Sequence, residues 1–526
     1  MIAKLERILA IPVLIIFVAV GGYFLLDDFF DFSGKKNPTE EPTTSIAAPK
    51  DLAGFYAQKP IWRNCEDNNK ARCGNIQVPL NWDKPGAGAI NIAVAVYPAL
   101  NPKTAPYLLM NPGGPGASGR DWVINYITSF GTKKLRENYN IVGFDPRGVG
   151  ASTSIKCYDT AKLRNFLYSA SPYDYGTAQD LEFTKKSIKD FGAACLKNTG
   201  ALLGHVDTSS AAKDMDIIRA VFGSKKLNYV GFSYGTLLGS TYATYFPTNV
   251  GRFVLDGVVD PTISPSQDSL NQLAGFQSAM RAYLASCIKD RISCPFRGLT
   301  VDQAMNKIGK DYLGVLEKGP VKTSLTGRTL TLNSGFTGMI AALYSKSNWQ
   351  YLTQAFTDFF RTSDRDGRVF LLLADMYFAY DPDAEVFEGN ENEAFKAITC
   401  MDSRESGKTA DMLAQNRRAL KLSPVFGRYW QYGGLACYSW PYPVKELPRD
   451  YSAEKAPTMM IIGTTNDPAT PYSQAEHFAH DVLANGWLLT YKGEGHTAYG
   501  SSNVCVSNTV DDFLINGKIP AKEKTC

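Results

Sequence analysis

The sequence predicts a mostly parallel α/β sheet interrupted by one large, mainly helical insertion. Three observations carry this. Short apolar runs of strand length alternate with helical patterns between residues 75 and 260, as in a buried parallel sheet with crossover helices. The alternation breaks near Pro261 and resumes at residue 456. Between these points the pattern is mainly helical and rich in Tyr, Phe and Trp.

The elements follow in order. Residues 1–33 stand apart: Lys4 and Arg7 precede an uncharged run from Ile8 to Leu26. That run approaches bilayer-spanning length and exceeds the usual apolar region of a signal peptide. It reads as a membrane anchor with its basic end in the cytoplasm and the remaining chain outside. Ala19-Val20-Gly21 is a poor cleavage site, whose use would release a secreted protein. Residues 34–50 form a polar, Pro/Thr-rich linker.

Residues 51–264 hold the first part of the core. "NIQVPLNW", "INIAVAVYPA", "APYLLMN", "YNIVGFD", "KLNYVGFS" and "VGRFVLDGVVD" read as strands. "AAKDMDIIRAVFG" and "YGTLLGSTYATYF" read as helices, the second stopped by Pro247. Residues 265–445 form the helical insertion, placed as a cap on the sheet. Residues 446–526 complete the core with strands in "APTMMIIGTTND" and "GWLLTYKGEGH" and a closing helix in "VSNTVDDFLING".

Lys and Arg number 55 against 51 Asp and Glu, with no dense basic cluster, which argues against a nucleic-acid partner. The ten cysteines include no C-x-x-C pair and no zinc-ribbon spacing. In an exported chain they are expected as disulfides. Pairing neighbours in order gives Cys65 with Cys73, Cys157 with Cys195, Cys287 with Cys294, Cys400 with Cys437, and Cys505 with Cys526.

Gly231-Phe232-Ser233-Tyr234-Gly235 places a serine at a strand-to-helix junction. Such a tight turn excludes side chains at its flanks and presents the hydroxyl at the carboxyl end of the sheet. Ser233 is therefore the candidate nucleophile. A serine hydroxyl needs a base, and the chain has four histidines. His205 lies in a loop, and His477 and His480 share one helix face with no third metal ligand evident. His496, after a strand in "KGEGHTAY", stands in the Ser…Asp…His order. Asp467, ending the preceding strand, is the candidate acid, with Thr470 and Pro471 as N-cap and first residue of the next helix. Asp256 and Asp260 end an earlier strand and are its rivals. The oxyanion donors are assigned to the backbone N–H groups of Tyr234 and Gly114, with Gly113 as second choice. Asp145 and Arg147 are assigned structural roles. The chemistry requires no metal or organic cofactor.

Together, "NPGGPGASG", "YNIVGFDPRGVGAST", "LNYVGFSYGTLLGSTYATYFP", "GRFVLDGVVDP", "GTTNDPATPY" and "GEGHTAYGSSNVC" resemble the secreted tripeptidyl aminopeptidases. These belong to the proline-iminopeptidase-related serine peptidases of the α/β-hydrolase superfamily, and the resemblance spans residues 60–526. Pro112 stands where proline iminopeptidases usually have His, which fits the tripeptidyl branch. The resemblance implies an α/β-hydrolase fold, the triad Ser233, Asp467 and His496, and removal of short peptides from a free N-terminus. Reading that N-terminus calls for a carboxylate near the cap, with Asp260 and Asp402 as candidates. A carboxylesterase or lipase with the same triad is the alternative, because fold does not choose between these chemistries. A non-catalytic envelope binding protein is disfavoured by the complete triad.

Overall fold

The computed structural model describes residues 49–66, 68–290, 293–404, 408–430 and 435–526. The apolar N-terminal segment and nearly all of the linker lie outside the described residues. Among the described residues no helix is long and apolar enough to cross a membrane.

Ten strands form one sheet. The first seven are β1 (Arg63–Asn64), β2 (Arg72–Pro79), β3 (Ala89–Tyr97), β4 (Tyr107–Asn111), β5 (Asn140–Phe144), β6 (Leu227–Phe232) and β7 (Val250–Asp256). Two short hairpins follow in the insertion, β8 (Val321–Lys322) with β9 (Thr329–Leu330), and β10 (Tyr380–Asp381) with β11 (Val386–Phe387). The sheet then resumes with β12 (Met459–Asn466), β13 (Gly486–Glu494) and β14 (Lys524–Thr525). Its order is β1-β2-β3-β5-β4-β6-β7-β12-β13-β14. The pairings from β1 to β3 and of β3 with β5 are antiparallel, and all others are parallel.

Side chains alternate between the two faces of this sheet. Leu109, Tyr229, Leu255 and Ile461 enter the apolar cluster on one face. Their neighbours Met110, Val230, Val254 and Ile462 enter the cluster on the other. Both faces are therefore covered, which explains why the central strands read as unbroken apolar runs.

Between β7 and β12 the chain builds a separate apolar centre, with Phe276, Tyr283, Tyr312, Phe356 and Phe370 buried together. This accounts for the aromatic richness of the insertion: aromatic rings bury large areas and pack edge to face, as Tyr312 and Phe359 do at 4.7 Å. The disulfides join Cys65–Cys73, Cys157–Cys195, Cys287–Cys294, Cys400–Cys437 and Cys505–Cys526. Bonds of this kind belong to chains folded in an oxidising compartment.

Candidate active site

Four strands of the sheet carry the site at their carboxyl ends. Ser233 follows β6, the loop containing Gly114 follows β4, Asp467 follows β12 and His496 follows β13. In parallel strands the carboxyl ends all lie at one edge, where open α/β sheets bind ligands. The cavity measures about 2320 Å³, and Ser233, His496, Gly114 and Tyr234 all line it.

The turn at Ser233 is strained, with φ 54° and ψ −124°, outside the comfortable region for a side-chain-bearing residue. The helix Tyr234–Tyr245 starts immediately after it. A Cβ on Gly231 would lie 2.3 Å from the Gly235 carbonyl oxygen, and one on Gly235 would lie 2.8 Å from that of Asn111. The two glycines are required because they pack against each other and against β4.

His496 Nδ1 lies 2.9 Å from each Asp467 carboxylate oxygen. Asp467 also accepts from the N–H groups of Ala469 and Thr470 at 2.9 Å and from the Thr470 hydroxyl at 3.1 Å. Both His496 and Asp467 are buried. Thr470 does not cap the next helix: that helix starts at Tyr472, with Pro471 at its N-cap position and no side-chain cap. The threonine hydroxyl is instead drawn to the carboxylate, an ionised acceptor and the stronger partner. No Ser233–His496 hydrogen bond forms among the described residues. In substrate-free sites such bonds are often long.

The sequence rivals for the acid have other roles. Asp256 is fully buried and accepts from the backbone N–H groups of Ala498 and Tyr499, holding the loop that carries His496. Burial pushes its pKa up to about 7. Asp260 accepts from Thr262 and pairs with His477 at 2.6 Å. His480 pairs separately with Glu523, so the two helix histidines face different carboxylates. His205 ends a short 3-10 helix rather than lying in open loop.

Around the oxyanion position, Gly113 donates its N–H to the Asn111 side chain at 3.0 Å. That removes it as a donor to substrate and corrects the second choice made from sequence. A Cβ on Gly113 would meet the Phe232 carbonyl at 2.5 Å, so this loop lies directly on the serine turn. Asp145 accepts from Ser118, Arg120 and Ala151. Arg147 forms a buried pair with Asp214 at 2.7 Å. Both shape the surrounding loops.

The cavity also reaches Asp260 and Asp402, but both carboxylates are engaged. Asp402 accepts from the Thr208 N–H at 2.7 Å and the Thr208 hydroxyl at 2.6 Å. That hydroxyl lies 2.5 Å from the Tyr234 phenol. Sequence reasoning missed Glu391. It begins the helix Glu391–Asp402, lines the cavity and makes no hydrogen bond or ion pair among the described residues. It is partly exposed at the cavity surface, and the surrounding protein desolvates its carboxylate. This burial raises its pKa to about 7. Only the fold, which swings the insertion over Ser233, distinguishes it from other acidic residues in the chain.

Residues 106–293 match the model of the alpha/beta hydrolase fold, and residues 423–526 that of the TAP-like protein family. The chain belongs to the α/β-hydrolase superfamily and carries its TAP-like C-terminal region. It is 33% identical over 499 residues to serine protease Hip1 of Mycobacterium tuberculosis, covering 91% of this chain and 92% of the relative. It is 34% identical over 502 residues to carboxylesterase B of the same organism, covering 93% of each. Tripeptidyl aminopeptidase of Streptomyces lividans is 28% identical over 478 residues, covering 88% of this chain and 86% of the relative. The chain is accordingly a hydrolase.

Proposed function

We propose that the chain is a serine exopeptidase of tripeptidyl aminopeptidase type, acting on peptides with a free N-terminus. Residues 265–445 cap the site and enclose the amino end of the substrate. Ser233 Oγ attacks the scissile carbonyl carbon while His496 Nε2 takes its proton. Asp467 holds the imidazole in the required tautomer and stabilises its cationic form. The N–H groups of Gly114 and Tyr234 receive the developing oxyanion. His496 then protonates the departing amine, leaving an acyl-enzyme on Ser233. Water, deprotonated by His496, attacks this ester, and the serine recovers its proton as the acid product leaves.

The observation that favours a peptidase over an esterase is Glu391: a partly buried carboxylate, without a hydrogen bond or ion pair among the described residues, in the cavity shared with Ser233 and His496. A carboxylate so placed suits an ammonium group and is wasted on an acyl chain. Esterase action is the second reading, favoured by the similarity to carboxylesterase B.

The test uses the full-length protein on paired peptides, one free and one N-acetylated, with Ser233→Ala alongside. Cleavage of the free peptide alone, abolished in the variant, is the expected result. Hydrolysis of short acyl esters through Ser233, with both peptides intact, would replace this reading with the esterase.

A further inference from the structure

The helix Glu391–Asp402 runs along the cavity and turns two rows of residues into it. Glu391, Phe395, Thr399 and Asp402 make one row, and Lys396 lies in the other. Successive members of the first row are three or four positions apart, as one face of a helix requires.

Lys396 is partly exposed on the cavity wall. A lysine ammonium that loses part of its hydration there gains from a counter-charge. Yet Lys396 lines the cavity with no hydrogen bond or ion pair among the described residues. Burial alone lowers its pKa. Glu391 does not neutralise it: the two stand five positions apart, about 7.5 Å along the helix axis, and no ion pair joins them. One helix thus brings two unmatched charges of opposite sign into the chamber that holds Ser233. One extended peptide residue spans roughly 3.5 Å, so the axial spacing of the two charges matches two to three residues of a peptide.

We propose that Lys396 is a specificity subsite for a carboxylate on the acyl part of the substrate, so that the preferred peptides carry Asp or Glu among the residues released. This rests on the exopeptidase reading, in which the amino end of the substrate is the part enclosed by the cap. The carboxylate would supply the counter-charge that the fold withholds, through a charge-assisted hydrogen bond.

The full-length protein is tested on free tripeptidyl-coumarylamides carrying Glu or Gln at each position in turn. The readout is the Glu/Gln ratio of kcat/KM, which is internal to each protein preparation. The wild type is expected to favour Glu by about tenfold or more at one position. Lys396→Arg should retain the preference, Lys396→Met should erase it, and Lys396→Glu should bring the ratio below one. A wild-type ratio near one at every position overturns the proposal, as does a preference that survives in Lys396→Met. A preference for free over amidated carboxyl termini, at fixed peptide length, would place the carboxylate on the leaving side and overturn the acyl-side assignment. A parallel comparison uses 4-nitrophenyl esters of glutaric monoacid and pentanoic acid. If no peptide is cut but the glutaryl ester is preferred through Lys396, the peptidase reading fails and the subsite stands. If peptides are cut without any Lys396-dependent ratio, the subsite fails and the peptidase reading stands.

Discussion

The backbone N–H of Ser233 donates to the carbonyl oxygen of Asp256 at 2.9 Å. The carboxylate of Asp256 receives the N–H groups of Ala498 and Tyr499, just beyond His496. One residue at the end of β7 therefore fixes the serine turn with its main chain and the histidine loop with its side chain. Both loop N–H groups converge on Oδ2, and Oδ1 also lies 3.1 Å from that of Ala498; in Asp256→Asn the amide NH2 replaces one oxygen and turns a donor towards these donors. We expect kcat to fall about tenfold with KM nearly unchanged, measured on any substrate that labels Ser233.

The same residue predicts a pH signature in stability. Burial raises its folded pKa to about 7 from an ordinary value of 3.8. Between these values the folded state binds more protons than the unfolded state. Its contribution is complete below about pH 4 and is lost as pH rises through 7. The loss of Tm in Asp256→Asn should be larger at pH 5 than at pH 8. Equal losses at both values would show that the carboxyl is charged throughout.

Asp467→Asn should leave substrate binding intact and lower kcat by about 10⁴-fold, because the amide favours the wrong imidazole tautomer. Stopped-assay kinetics with a fluorogenic peptide provide the number. A loss below tenfold would assign the acid to another carboxylate.

Glu391 carries a second pH effect. Its carboxyl, raised to about 7 by burial, becomes neutral as pH falls and loses its attraction for a substrate ammonium. KM for free peptides should therefore rise from pH 8 to pH 6. Glu391→Gln should raise KM at pH 8 by about tenfold or more and flatten this dependence. An identical KM profile in the variant would remove Glu391 from amine recognition.

Gly231→Ala inserts a Cβ 2.3 Å from the main-chain oxygen of Gly235. Backbone cannot yield as a flexible side chain does, so destabilisation of about 1–3 kcal/mol or more is expected. The check is a denaturant midpoint, read together with loss of labelling at Ser233 by a fluorophosphonate probe.

Much of this was legible in the sequence because local pattern and tertiary role coincide. The central strands are covered on both faces, so they appear as apolar runs such as "YLLMN" and "VGRFVLD". The turn at Ser233 shows its glycines because no other residue fits. The short edge strands β1 and β14 left no such mark, since two-residue strands have no periodicity. Likewise the helix Ala178–Thr199 is polar over much of its surface. Thr470 was misread because an N-cap and a ligand of a neighbouring carboxylate use the same hydroxyl, and only the position of Asp467 decides. Glu391 was invisible for a different reason: nothing in "EGNENEAFK" tells which acidic side chain the folded chain leaves without a partner.

The helix that carries Glu391 is fastened to the sheet domain at several points. Asn390 bonds to Gly148, Gly150 and Ile155. Glu393 receives the N–H groups of Cys157 and Tyr158, and Asp402 holds Thr208. A Cβ on Gly116 would strike the Glu391 carbonyl at 2.8 Å. This wall of the chamber is part of the frame, and lifting it would drag the oxyanion loop along. On the exopeptidase reading, a substrate would then enter end first, like a cord through an eyelet, and its girth would count before its chemistry.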